Sequence, residues 1–179
     1  MTQSRSDVEA DGWAFALHLY ALPGVADACL RLQEEAGVDV MMALMIVFAA
    51  VRHRVLLTPA EIRELDDACR PWRERIVHPL RAIRTRLKTG PSPAPGSATE
   101  PFRSTIKAAE LAAERLQNQL LAERLPLRAP ERDAVAPDDL RSVLHSVVTL
   151  ALEKRPGQSL SDLPSAIEVI VGAAMQDKH

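Results

Sequence analysis

The sequence predicts an all-α single domain of about seven helices. Three observations carry that reading. Helix start and stop signals recur along the chain, strand signals are nearly absent, and VMMALMIVFAAV (Val40 to Val51) forms twelve consecutive apolar residues bounded by Asp39 and the basic group RHR. A length of 179 residues is enough for one domain to bury a sizeable core without disulfide or metal staples.

The elements follow in order. The polar stretch MTQSRSDVEADG suits a flexible leader through residue 10 better than a signal peptide, and Asp11 can cap a first helix to about Leu22. Pro23-Gly24 breaks it, and a second helix from about Val25 ends at Gly37. The apolar block is the third. As a helix it would span about 18 Å, against roughly 30 Å of membrane hydrocarbon, so a helix packed on all sides is expected.

Thr58-Pro59-Ala60-Glu61 combines a cap, a first-turn proline and a third-position acid, the signature of a capping box. That helix should run to about Cys69, and Pro71 should open another to about Lys88 with a kink near Pro79. TGPSPAPGSATEP, residues 89–101, is a flexible linker by composition. The next helix resumes at Phe102. On a 3.6-residue wheel Phe102, Ile106, Ala109, Ala113, Leu116 and Leu120 form the stripe expected to face the core, flanked by Arg103, Lys107, Glu110, Glu114 and Gln117. Residues 126–137 read as an exposed loop, Pro137-Asp138 starts a helix to about Lys154, and Asp162-Leu163-Pro164 starts the last.

Trp13, Phe15 and Tyr20 place three of the six aromatic residues within one short segment. Trp13, Leu17 and Tyr20 share one helical face while Phe15, Leu19 and Leu22 take the opposite one, so enclosure on both sides is expected. His18 falls on the remaining polar edge. Met41, Met42 and Met45 are expected to fill the core, the alternative being an adaptable apolar groove.

The charge distribution bounds the function. With 22 basic and 24 acidic residues the net charge is -2, so any attraction to nucleic acid or anionic lipid must be local. RPWRERIVHPLRAIRTRLK, Arg70 to Lys88, is that locality, with seven Lys or Arg residues against the single acid Glu74. Arg73, Arg81, Arg84 and Lys88 share one side of an approximate wheel, beside the apolar set Trp72, Ile76, Leu80, Ile83 and Leu87. Two readings stay open. The stripe is a landing surface for phosphates or an acidic partner, or its arginines pair internally with Glu110, Glu114, Glu61, Glu64, Asp66 and Asp67.

Signals for catalysis are thin. The five histidines show no metal-ligand spacing, no helical Glu-x-x-His motif is present, and there is no phosphate-binding glycine loop or nucleophile elbow. No cofactor and no metal is expected. Cys29 and Cys69, forty residues apart, read as buried reduced thiols of a cytoplasmic protein.

Three blocks, WAFALHLYALPGVADACLRLQEEAGVDV, PWRERIVHPLRAIRTRLK and FRSTIKAAELAAERLQ, together resemble an uncharacterised, mainly proteobacterial family, a domain of unknown function. Its recurring pattern is W-x-F-A-L-x-L-Y-x-x-P-G-V, W-R-x-x-x-x-x-P-L-R and I-K-x-x-E-L-x-A-E-R-L-Q. The resemblance covers Trp13 to Gln117 and implies a small helical cytoplasmic protein, with no catalytic residues to carry over. Members of the family it resembles usually carry a polar Asn and a Trp where this chain has its apolar block.

The leading functional expectation is therefore a non-catalytic cytoplasmic module that binds another protein or itself. The alternatives are a nucleic-acid- or ribosome-associated factor working through Arg73, Arg81, Arg84 and Lys88, and an enzyme or small-molecule binder with a pocket among Trp13, Tyr20, Glu110 and Glu114.

Overall fold

The computed structural model describes residues 5–130, 133–154 and 163–176. Among them the chain forms seven continuous helical stretches and no strand. These are α1 (Arg5–Ala21), α2 (Val25–Arg31) with a π-helical turn (Leu32–Ala36), and α3 (Val40–His53). The fourth stretch runs without a break through α4 (Pro59–Trp72), a second π-helical turn (Arg73–Val77) and α5 (His78–Arg86). Then come α6 (Glu100–Arg124), α7 (Pro137–Glu153) and α8 (Leu163–Gln176).

The apolar block is the centre. Every residue of α3 from Met42 to Ala50 is buried, and α1, α6, α7 and α8 all pack against this helix. Met42 and Met45 are core, as expected, and so are both free cysteines. Asp39 caps α3 by accepting a hydrogen bond from the Met42 N–H at 3.1 Å. No single helix among the described residues is long and apolar enough to cross a membrane.

Local signals in the sequence place several ends. Gly37 stands at φ 74° after the first π turn and returns its N–H to the Gln33 carbonyl, a left-handed cap that favours glycine. The Thr58–Glu61 capping box is formed in both directions.

Other expectations need correction. The first helix already includes Arg5, upstream of Asp11, because the buried stripe Val8, Gly12, Phe15, Ala16 and Leu19 has helical spacing that reaches back beyond Asp11. Residues 1–4 of the expected leader and Asp162, the expected cap of the last helix, lie outside the described residues. Gly12 permits close approach of α1 to α3: a Cβ there would stand 2.6 Å from the Met45 sulfur. Nor is α1 enclosed on both sides, since Phe15 and Leu19 are buried while Leu17 and Tyr20 stand exposed.

Pro71 opens no new helix and sits in the last turn of α4. The chain continues through the π turn instead. Pro79 lacks an N–H, and its ring would press on the carbonyl of Arg75 four residues back, inside that wider turn. In the linker, Ala94 is buried and the rest is largely exposed, and α6 begins at Glu100 with Pro101 in its first turn.

Candidate functional site: an inward-facing basic helix

The stripe expected to face the core on α6 is rotated. Phe102 and Leu116 are about half exposed, at 54% and 50%, while Glu110, Ala113, Gln117, Asn118, Leu121 and Ala122 are buried. The polar flank of the wheel faces in. Its reason lies on α5, which has no fully buried residue of its own and docks on α6 through charge.

Two clusters do this. In the first, Arg73 donates from Nη1 to Asp39 Oδ2 at 2.7 Å and from Nη2 to Asp66 Oδ1 at 2.8 Å. The Gln117 amide donates to the same Asp39 oxygen at 2.5 Å, and Lys154 and Arg70 close on Asp66. The side chains of Asp39 and Asp66 are each 6% exposed and that of Arg73 11%, so this is a buried network tying α3, α4, α6 and the end of α7. In the second, Arg81 donates to Glu110 at 2.9 Å, to Glu114 at 2.5 Å and to the Gln33 side chain at 2.8 Å, and Arg84 pairs with Glu110. Trp72 anchors the same helix by donating its indole N–H to the Ala113 carbonyl at 3.0 Å.

The π turn explains why the arginines divide. It adds backbone between Arg73 and Arg81, so a wheel of uniform period fails across it. Arg73 points towards the start of α3, whereas Arg81 and Arg84 point to α6. The stripe drawn as an outward surface is thus an inward one for these three arginines; Lys88 alone of the four is exposed, without a partner among the described residues.

The outer side of this stretch carries what remains. Ile76 and Ile83 are 37% and 44% exposed, and Arg75, Pro79, Ala82 and Arg86 are exposed beside them. Arg75 and Arg86 show no ion pair among the described residues. On a wheel corrected for the wider turn these positions fall within about 150° of one another, on the side away from Arg81 and Arg84.

Of the four residues expected to line a pocket, Trp13, Tyr20, Glu110 and Glu114, Tyr20 stands exposed and the other three are engaged elsewhere. Trp13 lies under the Arg115 guanidinium at 5.8 Å, and Glu110 and Glu114 are taken by the arginines. A cleft of about 160 Å³ lies instead beside the first cluster, lined by Asp39, Asp66, Arg73, His78, Lys154 and apolar residues of α3 and α7. None of the four expected residues lines it. Among the described residues, no group of His, Cys, Asp or Glu is arranged to hold a metal. Asp39, Gln33, Gln117 and Lys154 are the participants that the sequence reading missed; the one signal was Asp39, an acid at the threshold of the core helix.

The clusters contribute to the loss of stability in acid. Burial pushes the Asp66 carboxyl up, but Lys154 and Arg73 outweigh it and hold it below its usual range; Glu110 is likewise raised by burial and brought lower by Arg84 and Arg81. For such groups stability is present above the unfolded pKa and lost as pH falls through the lower folded value. Glu114, raised by burial, has the opposite sign and offsets part of this. Burial lowers His53, which adds a loss below its ordinary value of 6.5. On the alkaline side burial pushes both thiols from 9.0 to about 12, so stability present below pH 9 is lost as the unfolded thiols ionise. Thermal scans are therefore expected to show a melting plateau between about pH 6.5 and about pH 9, with decline on both sides. A midpoint still rising above pH 9 would contradict the buried thiols.

Comparison with known proteins places the first six helices. A family model described as "Protein of unknown function (DUF2390)" matches residues 11–121, from within α1 to near the end of α6. No curated protein and no solved structure matches the chain.

Proposed function

This chain belongs to the DUF2390 family, and we propose that it acts as a non-catalytic helical module that binds another protein through the outer face of α5 and the preceding π turn. One observation carries the proposal: the π turn and α5 together turn arginines inward to buried acids and leave Ile76 and Ile83 to solvent, the reverse of what stability alone favours in a surface helix. Exposed aliphatic side chains bordered by cations have the make-up of an interface whose apolar centre a partner covers. The ion pairs hold that face rigid, because they fix α5 to α6 at two levels.

Cytoplasmic residence and a mainly proteobacterial range belong to the proposal, the first supported by two buried thiols that remain unpaired. A nucleic-acid role through Arg73, Arg81 and Arg84 loses support, since each is already neutralised by a carboxylate.

The test is native co-purification of the tagged full chain, with and without nuclease, beside Ile76→Glu/Ile83→Glu. The expected result is a nuclease-resistant protein partner that the double variant loses, with a thermal midpoint close to the parent because exposed substitutions stay within about 0.5 kcal/mol each. Retention of the partner by a folded variant, or its release by nuclease, would overturn the proposal.

A further inference from the structure

Resting on that reading, we infer that the occupant of the α5 face is an acidic amphipathic helix of another protein. The chemistry of the face is uneven in charge. Between Arg73 and Lys88 the only acid is Glu74, and once Arg73, Arg81 and Arg84 are spent on internal carboxylates the cations left are Arg75, Arg86 and Lys88. All three are exposed, and Arg75 and Arg86 stand on the same outer side as Ile76 and Ile83. The face therefore offers an aliphatic pair seven residues apart, bracketed by two positive charges eleven residues apart.

A second helix matches this spacing. Aliphatic residues at i, i+3 or i+4, and i+7 on a partner would cover Ile76 and Ile83 over two turns, and carboxylates flanking that row would meet Arg75 and Arg86. No sheet edge exists among the described residues for an extended peptide to join. A nucleic acid is poorly matched to two isoleucines at the centre of the patch, where stacking platforms or hydrogen-bond donors would serve. A bilayer surface is equally ill served, because an interfacial helix needs a broad apolar face with large anchors, and this face presents only the two isoleucines. Charge complementarity then selects the acidic helix, with the cations setting orientation and encounter rate more than total affinity.

The experiment places a photo-crosslinking amino acid at Ala82, exposed on this outer side, in the full-length protein in its native cells, and sequences the crosslinked product. The expected product is a peptide from another protein with helical aliphatic spacing and an excess of Asp and Glu. That peptide, synthesised, should bind the purified chain in a saturable and salt-sensitive way. Arg75→Glu/Arg86→Glu should weaken it by at least roughly tenfold, and a peptide with its Glu residues changed to Lys should recover binding to that variant.

A crosslinked protein segment that is neutral or basic, or affinity indifferent to the arginine reversal, would overturn the acidic-helix inference while leaving α5 as a docking face. Crosslinking to lipid or nucleic acid, or no crosslink at Ala82 from a folded protein that still captures its partner, would overturn both. A product joining two copies of this chain would replace the outside partner with self-association.

Discussion

Replacing Arg73 with methionine is expected to destabilise the protein by about 3 to 5 kcal/mol, the cost of leaving buried carboxylates without their counter-charge. Asp39 has no other ion pair among the described residues, Asp66 keeps Lys154 and Arg70 but loses its third cation, and each carboxylate is almost wholly removed from solvent. For a chain of this length that corresponds to a fall of roughly 6 to 20 °C in the thermal midpoint, read by circular dichroism. Adding Asp39→Asn should return part of the loss, because asparagine still caps α3 while removing one stranded charge. The coupling between the two substitutions should lie in the range of about 0.5 to 3 kcal/mol expected of residues in one network. A loss below about 1 kcal/mol, the scale of an exposed ion pair, would mean that Arg73 is solvated. Arg73→Glu with Arg84→Glu should then unfold the chain rather than merely spoil a surface, since both reverse charges that face acids.

The second large effect is expected at Phe48, for a different reason. Phe48 is 2% exposed on α3, its ring 5.6 Å from Phe15 and 4.9 Å from His53 in an edge-on contact. Truncation to alanine leaves a cavity enclosed by α1 and α3, and a cost of about 3 to 5 kcal/mol follows from lost transfer energy and unfilled volume. Phe102→Ala supplies the contrast. Its ring is half exposed, so the change should stay within about 0.5 kcal/mol. The same pair of variants, compared by denaturant unfolding, discriminates the observed rotation of α6 from the expected one, in which Phe102 belonged to the core.

What was legible in the sequence was local. Gly37, the Thr58 capping box and the apolar run of α3 each declare themselves within a few residues, because a cap or a buried helix is decided by immediate neighbours in the chain. The rotations of α5 and α6 were not legible. They depend on Arg81 and Arg84 meeting Glu110 and Glu114 across 26 to 33 residues, and on Arg73 meeting Asp39 across 34. A helical wheel ranks residues by hydropathy and assigns charge to solvent, and here pairing outweighs that rule. The π turn compounds the difficulty, since it shifts the phase of everything after it without any change in composition. Internal pairing of the basic helix was nonetheless one of the two readings open from sequence, and Asp66, Glu110 and Glu114 were among the acids named for it.

The same geometry separates structural charges from available ones. Arg73, Arg81 and Arg84 hold the helix in place, and this leaves Arg75, Ile76, Ile83 and Arg86 as the chemistry that a partner can meet. The most direct test of that division is the hydrogen exchange of arginine side-chain Nε–H groups, followed by nuclear magnetic resonance with each arginine assigned by substitution. Arg81 and Arg84 donate from Nε to Glu110, so their signals should be slow to exchange, while those of Arg75 and Arg86 exchange rapidly with water. Exchange at Arg81 and Arg84 as fast as at Arg75 and Arg86 would contradict the inward-facing helix and return those arginines to the surface.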